Sequence, residues 1–341
     1  LRNLYLLVVK RENKMFTRIE QSEIRHDIKL AIHRIWRISD VFTEKPDVST
    51  ELDNIIHYFT QVFPEVIALH DRRLVQAWDE TGFDPELIRD VNRFPHITFG
   101  NWVGGDRDGH PLVTAEVTKN TLMKMRLKSF QVIKRVLSTL QNNLSFSSKT
   151  EDLSPQFRLR YKALHDEIIE YDALHKMLFP NEALKQYIEY LIIKLPVSII
   201  DGHIQDYKEE VISYNDPGEL IADLSVLEKA LIDDHASAIA FTDVCEAIRT
   251  VNTFGFHLAK LDIRQNSRFH ELALSQLMQA AQLDGDGFLN MDPNHRVALI
   301  SRELESSRPF AHPNMPLGTE AHATVDSYRV LNKHINRYGT Q

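Results

Sequence analysis

The sequence predicts a mainly α-helical chain with a few β-strands, the strands forming part of a larger α/β assembly such as a barrel. Three observations carry this. Helical patterns dominate, with apolar residues at spacings of three and four that give one buried face. Two stretches read as strands, near residues 96–103 and 257–264. Two strands cannot make an independent sheet with its own core, so they must join strands from residues absent from this sequence. If those strands close a barrel, charged side chains at the strand ends point to its mouth, where such folds place their chemistry.

Composition sets the outer limits. The 341 residues are long enough to bury a large core, and 43% hydrophobic with 26% charged residues is ordinary for a globular protein. A net charge of −8 argues against a general nucleic-acid or anionic-membrane binder, though not against a local basic pocket. The single cysteine, Cys245, rules out an intrachain disulfide framework and fits a reducing compartment. No apolar run approaches the length that spans a bilayer. Leu1 to Val9 reads as helix with no cap before it and carries neither the basic region nor the cleavage site of a signal peptide. Residues 327–338 are helical in pattern up to an abrupt stop, so the expectation is an internal fragment of a longer chain.

Thr17-Arg18-Ile19-Glu20 has the spacing of a capping box, opening a helix with an apolar stripe of Ile24, Ile28, Ile32 and Ile35. Lys45-Pro46 ends it, and Ser49 or Thr50 caps the next helix, whose buried side runs from Leu52 to Ile67. Pro64 lies inside that pattern and should kink or divide the helix. Residues 94–101 then read as a strand, and Thr114 as the N-cap of a long helix carrying Leu122, Leu127, Phe130, Ile133, Leu137 and Leu140. Residues 142–149 form a polar surface loop. Tyr214-Asn215-Asp216-Pro217-Gly218 is a turn, Leu220 to Ala240 is helical, and Thr242 or Asp243 caps the following helix.

The chemistry concentrates in two places. Between the first strand and the long helix lies Trp102-Val103-Gly104-Gly105-Asp106-Arg107-Asp108-Gly109-His110-Pro111, three glycines and three charges in one turn. Glycine permits positive φ and close approach of the backbone to a neighbour or ligand. A tight loop whose Asp and Arg brace each other would read the same way, and one Gly-rich turn alone is weak evidence. The second place is Phe254-Gly255-Phe256-His257-Leu258-Ala259-Lys260-Leu261-Asp262-Ile263-Arg264-Gln265-Asn266-Ser267. As a strand it puts Lys260, Asp262 and Arg264 on one face, and Ser267 would cap the helix after it. A solvated charged face is the plain alternative. In a barrel mouth, Arg264 becomes a fixed cation suited to gripping phosphate or carboxylate.

Together these stretches resemble the phosphoenolpyruvate carboxylase family. Residues 99–109 are similar to its Trp-x-Gly-Gly-Asp-Arg-Asp-Gly segment, and residues 261–267 to its Asp-x-Arg-Gln-Glu-Ser segment, in the family's order and separation. The resemblance implies a helical protein around a TIM-like eight-stranded α/β barrel, adding bicarbonate to phosphoenolpyruvate to give oxaloacetate and phosphate with Mg²⁺ or Mn²⁺. It implies that Arg264 holds the substrate phosphate. It also implies that Gly104, Gly105, Asp106, Arg107, Asp108 and Gly109 shape a loop at the barrel mouth or near a subunit contact, where Arg107 would bind an anion. Residues 1–341 would then be one fragment of that fold, without the family's catalytic-histidine segment or its metal ligands, and inactive alone. A cytoplasmic homo-oligomer that binds neither nucleic acid nor membrane is the further implication. His110 stands where the family has asparagine, and Asn266 where it has glutamate, removing a negative charge beside Arg264.

Other motif-like segments read blandly. Asp284-Gly285-Asp286-Gly287 lacks the glutamate a calcium loop needs, since His295 stands at that place, and is a turn. His257 is a hydrogen-bonded core residue, and Asp233-Asp234-His235 a helix-end cluster. The competing functional class is a non-catalytic helical scaffold that retains the fold without the chemistry.

Overall fold

The computed structural model describes residues 2–38, 47–84, 87–88, 90–108, 112–171, 178–200, 202–307, 309–312 and 315–340. Its contacts divide into two compact units, Leu1–Ser49 and Thr50–Gln341.

The first unit pairs α1 (Arg2–Glu12) with α2 (Arg18–Ile38). The capping box forms: the Thr17 amide donates to Glu20 Oε2 at 2.7 Å, and the Glu20 amide donates to Thr17 Oγ1 at 3.4 Å. Two amides that the helix itself cannot satisfy are thereby paired. Gln21 Nε2 donates to the carbonyls of Arg11 and Asn13, fixing the connection. Of the expected stripe, Ile24 is buried while Ile32 and Ile35 are exposed. Two helices share one seam, so a stripe this long stays partly open. Lys45-Pro46 lies outside the described residues.

In the second unit α3 (Val48–His57) starts one residue before Ser49, so neither Ser49 nor Thr50 is its cap. It passes through a π turn, Tyr58–Val62, into α4 (Phe63–Glu80). The π turn is the form the Pro64 irregularity takes. Pro64 has no N–H for the Thr60 carbonyl, and Arg135 Nη2 donates to that carbonyl instead.

After β1 (Gly100–Asn101) comes α5 (Ala115–Asn143), against which three later helices, described below as α7, α10 and α14, pack. Thr114 caps it, its Oγ1 accepting from the Val117 amide at 3.3 Å. Phe130, Ile133, Leu137 and Leu140 of α5 are fully or almost fully buried. They meet α6 (Pro155–Tyr171), α7 (Ala183–Ile193), α8 (Pro217–Asp233) and α10 (Cys245–Phe254) through Leu164, Tyr187, Leu224 and Ile248. The polar stretch after α5 is tied down rather than loose: Leu144 is fully buried, and Ser148 bridges to Glu182.

Between α7 and α8, β2 (Val197–Ile200) and β3 (His203–Tyr207) form an antiparallel hairpin with a bulge at Ser198/Ile199. This hairpin falls outside both predicted strands. Asp216 caps α8, its Oδ1 accepting from the Gly218 amide. From α9 (Ser237–Ile239) a second π turn, Ala240–Val244, runs straight into α10. Thr242 and Asp243 therefore sit within a continuous helical run and start nothing, which corrects the expected cap. β4 (Lys260–Leu261), α11 (Ser267–Ala280), α12 (Gly285–Asn290), α13 (Pro293–Leu304) and α14 (Thr319–Tyr338) complete the order. Asp284 caps α12, and His295 pairs with Asp292. Asp234 closes α8 with His235 at φ +61°. No described helix is long and apolar enough to cross a membrane. Both sheets among the described residues are two-stranded, so the fold is mainly helical and no barrel closes within them.

Candidate functional site

The two glycine- and charge-bearing segments lie side by side. β1 and β4 pair in parallel, Gly100 opposite Lys260 and Asn101 opposite Leu261. The Lys260 amide donates to the Phe99 carbonyl at 2.9 Å and the Asp262 amide to the Asn101 carbonyl at 2.8 Å. The ladder then skips the turn and resumes: the Arg264 amide donates to the Gly105 carbonyl, and the Arg107 amide to the Arg264 carbonyl. Backbone pairing thus brings residues more than 150 positions apart to neighbouring places.

The turn is fixed from three sides. Buried Asn101 accepts from the Val103 amide at 2.9 Å and donates to the Val103 carbonyl at 3.1 Å. Gly104 has φ +86°, where a side chain would be strained, and its carbonyl accepts from Thr118 Oγ1 of α5 at 2.8 Å. At Gly105 a Cβ would stand 2.2 Å from the Asp262 carbonyl oxygen. Only a residue without a side chain lets the second segment approach this closely.

Two cations of the site occupy different surroundings. Arg264 is half-exposed; its Nη2 donates to Asp262 Oδ2 at 3.0 Å and its guanidinium lies 5.5 Å from the Trp102 ring centre. Cation and ring support each other while leaving the remaining donors open to an incoming anion. Arg107 is about half-buried and donates through Nη1 to the Ala323 carbonyl of α14 at 3.0 Å. Its Nη2 is buried and finds no partner among the described residues. Burial lowers its pKa from the ordinary arginine value. Arg107 lines a cavity of about 920 Å³ with Asp108, Gln265, Asp326, Arg329 and Lys333. Arg264 is not among its lining residues.

Of the predicted site residues, then, Gly104, Gly105, Asp106, Arg107, Asp108 and Arg264 are brought together. Gly109 and the variant position His110 lie outside the described residues. Asn266 serves as the N-cap of α11, its Oδ1 accepting from the Arg268 amide at 2.8 Å, and Ser267 is the first helical residue rather than the cap. The negative partner of Arg264 is Asp262.

Sequence reasoning assigned no role to Arg126 of α5. It is 2% exposed, with its guanidinium 4.4–5.8 Å from the rings of Phe130, Tyr207, Phe256 and Tyr338. Its Nη1 donates to the Phe256 carbonyl, just before β4. An arginine inside an otherwise apolar helical stripe is the signal that points to it. His257 is largely buried and bonds the Tyr338 carbonyl at 3.2 Å, as a core histidine should. Among the described residues no group of three or more His, Cys, Asp or Glu could hold a metal ion.

The phosphoenolpyruvate carboxylase family profile matches residues 1–341. A relative named phosphoenolpyruvate carboxylase from Rhodopseudomonas palustris (strain BisA53) is 30% identical over 98% of this chain and 34% of its own length. One of that name from Parasynechococcus marenigrum (strain WH8102) is 30% identical over 92% of this chain and 32% of its own length. A third, from Trichormus variabilis, is 27% identical over 94% and 31%. The chain spans about a third of the length of these relatives. With the profile covering it from end to end, the chain belongs to the phosphoenolpyruvate carboxylase family.

Proposed function

We propose that this chain is part of a carboxylase converting phosphoenolpyruvate and bicarbonate to oxaloacetate and phosphate, an anaplerotic carbon-fixing step feeding the tricarboxylic acid cycle. In this reading Arg264 binds the substrate phosphate, and the loop from Gly104 to Gly109 shapes the mouth of the site or a nearby subunit contact, with Arg107 facing an anion. The observation that carries it is the ladder joining Gly105 to Arg264, which fixes the arginine beside the diglycine turn. The parallel pair β1–β4 supports a barrel completed by further strands, because parallel strands are normally buried within larger sheets. Mg²⁺ or Mn²⁺ would be held by residues elsewhere in the whole protein, a cytoplasmic homo-oligomer.

Energetics limits what this part can do alone. Carboxylation through phosphoryl transfer develops negative charge that fixed cations stabilise. One charge-assisted hydrogen bond supplies roughly 1.5–3 kcal/mol, against roughly 8 kcal/mol or more for enzymes of ordinary power. The chain by itself is therefore expected to be inactive; turnover of phosphoenolpyruvate by residues 1–341 alone would refute this. In the whole protein, Arg264→Ala should weaken binding of a non-reacting phosphoenolpyruvate analogue by about tenfold to a hundredfold. Unchanged affinity would remove the phosphate role.

A second reading, a non-catalytic scaffold, draws on the open setting of Arg264 and its existing pair with Asp262. The flanking coding sequence separates the two: an upstream catalytic-histidine segment and a downstream Arg-Gly-rich loop favour the enzyme.

A further inference from the structure

A cavity of about 190 Å³ lies between α4, the Ala240–Val244 π turn and α10, with none of residues 99–109 or 261–267 in its wall. Its walls are largely apolar, with Ile67 and Val75 on one side and Phe94, Phe241 and Phe254 on the others. A cavity of ~150 Å³ with such walls admits benzene. This one is therefore large enough for a single ring bearing a small substituent.

Three features set it apart from a packing defect. First, the second π turn lines it through Phe241 and Thr242, and Pro64, at the start of α4 just after the first π turn, stands in its wall. Pro64 explains the first turn, but no proline requires the second, and such turns recur at functional sites. Second, Thr253 in the cavity wall is 3% exposed and its Oγ1 has no hydrogen-bond partner among the described residues. A threonine inside a helix ordinarily back-bonds to the carbonyl four residues earlier. Third, two guanidinium groups meet here. Arg249 donates from Nε to Asp71 Oδ2 at 2.9 Å and from Nη2 to the Pro95 carbonyl, which leaves Nη1. Arg72, half-exposed, touches Glu246 at only 3.8 Å.

We propose that this cavity is a binding site for a compact apolar molecule carrying one carboxylate, the ring lying among Phe94, Phe241 and Phe254 and the carboxylate meeting Arg72 and Arg249. Two arginines and two carboxylates line this largely apolar hollow, Arg249 held closely by Asp71 and Arg72 only at 3.8 Å by Glu246, so a ligand with an apolar body and one anionic end would compete with Glu246 for Arg72. The floor of the cavity also continues into the motif pair: Phe254 stacks on Phe99 at 5.6 Å between ring centres, and Phe99 on Phe63 at 4.7 Å. An occupant would therefore press on the residue whose carbonyl starts the β1–β4 ladder. The site stands whether or not the carboxylase reading does.

The test uses benzoate and its neutral isostere benzamide, titrated against the intact protein by ligand-observed NMR. Benzoate should bind saturably with a Kd of about 1 mM or tighter, in line with the ceiling for so few atoms. Ala68→Phe, which fills the cavity from α4, should abolish binding of both molecules. Arg72→Gln, a surface change that leaves the buried Arg249–Asp71 pair intact, should weaken benzoate about fivefold and leave benzamide unchanged. Circular dichroism checks that both variants keep their helix content, and Ala68→Leu replaces Ala68→Phe if that variant loses it. Absence of saturable benzoate binding, or binding indifferent to filling at Ala68, overturns the site. Equal loss of both ligands in Arg72→Gln overturns the carboxylate recognition.

Discussion

At Gly105 the nearest atom to an added Cβ is the carbonyl oxygen of Asp262, at 2.2 Å, and a backbone atom cannot swing aside as a side-chain end can. Gly105→Ala must therefore part the two segments or shift the turn. Overpacking of this kind typically costs about 1–3 kcal/mol, and the expected outcome is a clear fall in Tm with altered fluorescence of Trp102. Gly82 supplies the control. Unlike Gly105 it has a positive φ, at +75°, but nothing lies within 4 Å of its Cβ position. Gly82→Ala should cost only the backbone strain, about 1 kcal/mol. If the two variants lose the same stability, close approach is not what fixes glycine at position 105.

For the individual elements, what the sequence made legible is mostly what short-range chemistry decides. Thr17 and Glu20, Thr114 and Asp216 each bond an amide within three residues, so their spacing alone announces a helix start. The hairpin β2–β3 was also within reach, since Asp201-Gly202 between Val197-Ser198-Ile199-Ile200 and Ile204 carries a hairpin signal. The second π turn was not. Thr242 and Asp243 have the chemistry of caps, yet Ala240 and Val244 are fully buried, and tertiary packing holds the helical run continuous through them. Position 266 shows the same competition resolved the other way. Asn266 caps α11 through its side-chain oxygen. Asn266→Ala should lower stability by about 1 kcal/mol in urea unfolding, whereas Asn266→Asp should preserve it. A neutral alanine variant would mean that α11 is held by packing alone.

Across the molecule, the legible part was the kinship of two segments; the illegible part was what surrounds them. Parallel pairing of β1 with β4 rests on chain paths that no local pattern encodes, and the burial of Arg126 beside four rings depends on four separate parts of the chain meeting. That cluster joins α5, the hairpin, the segment before β4 and α14, and it has a consequence for acid stability. His257 and His334 both lie beside Arg126, their ring centres 5.7 Å apart. Burial above all, then the charge of Arg126, lowers each to about 4 from the ordinary 6.5. His334 Nε2 is buried without a partner among the described residues, so no neighbouring acceptor rewards its protonation. The folded state therefore keeps both rings neutral where the unfolded chain would protonate them. As pH falls below about 6.5 the unfolded state binds the extra protons, and stability drops progressively until about pH 4, where the folded rings titrate as well. Tm measured between pH 7.5 and 4.5 should decline with a slope reflecting up to two protons taken up on unfolding. His334→Gln should flatten that slope by about one proton while changing Tm at pH 7.5 far less, because the side chain it replaces is neutral there. A slope identical in the variant and the parent chain would place the acid sensitivity elsewhere, in the carboxylates that lose their charge over the same range.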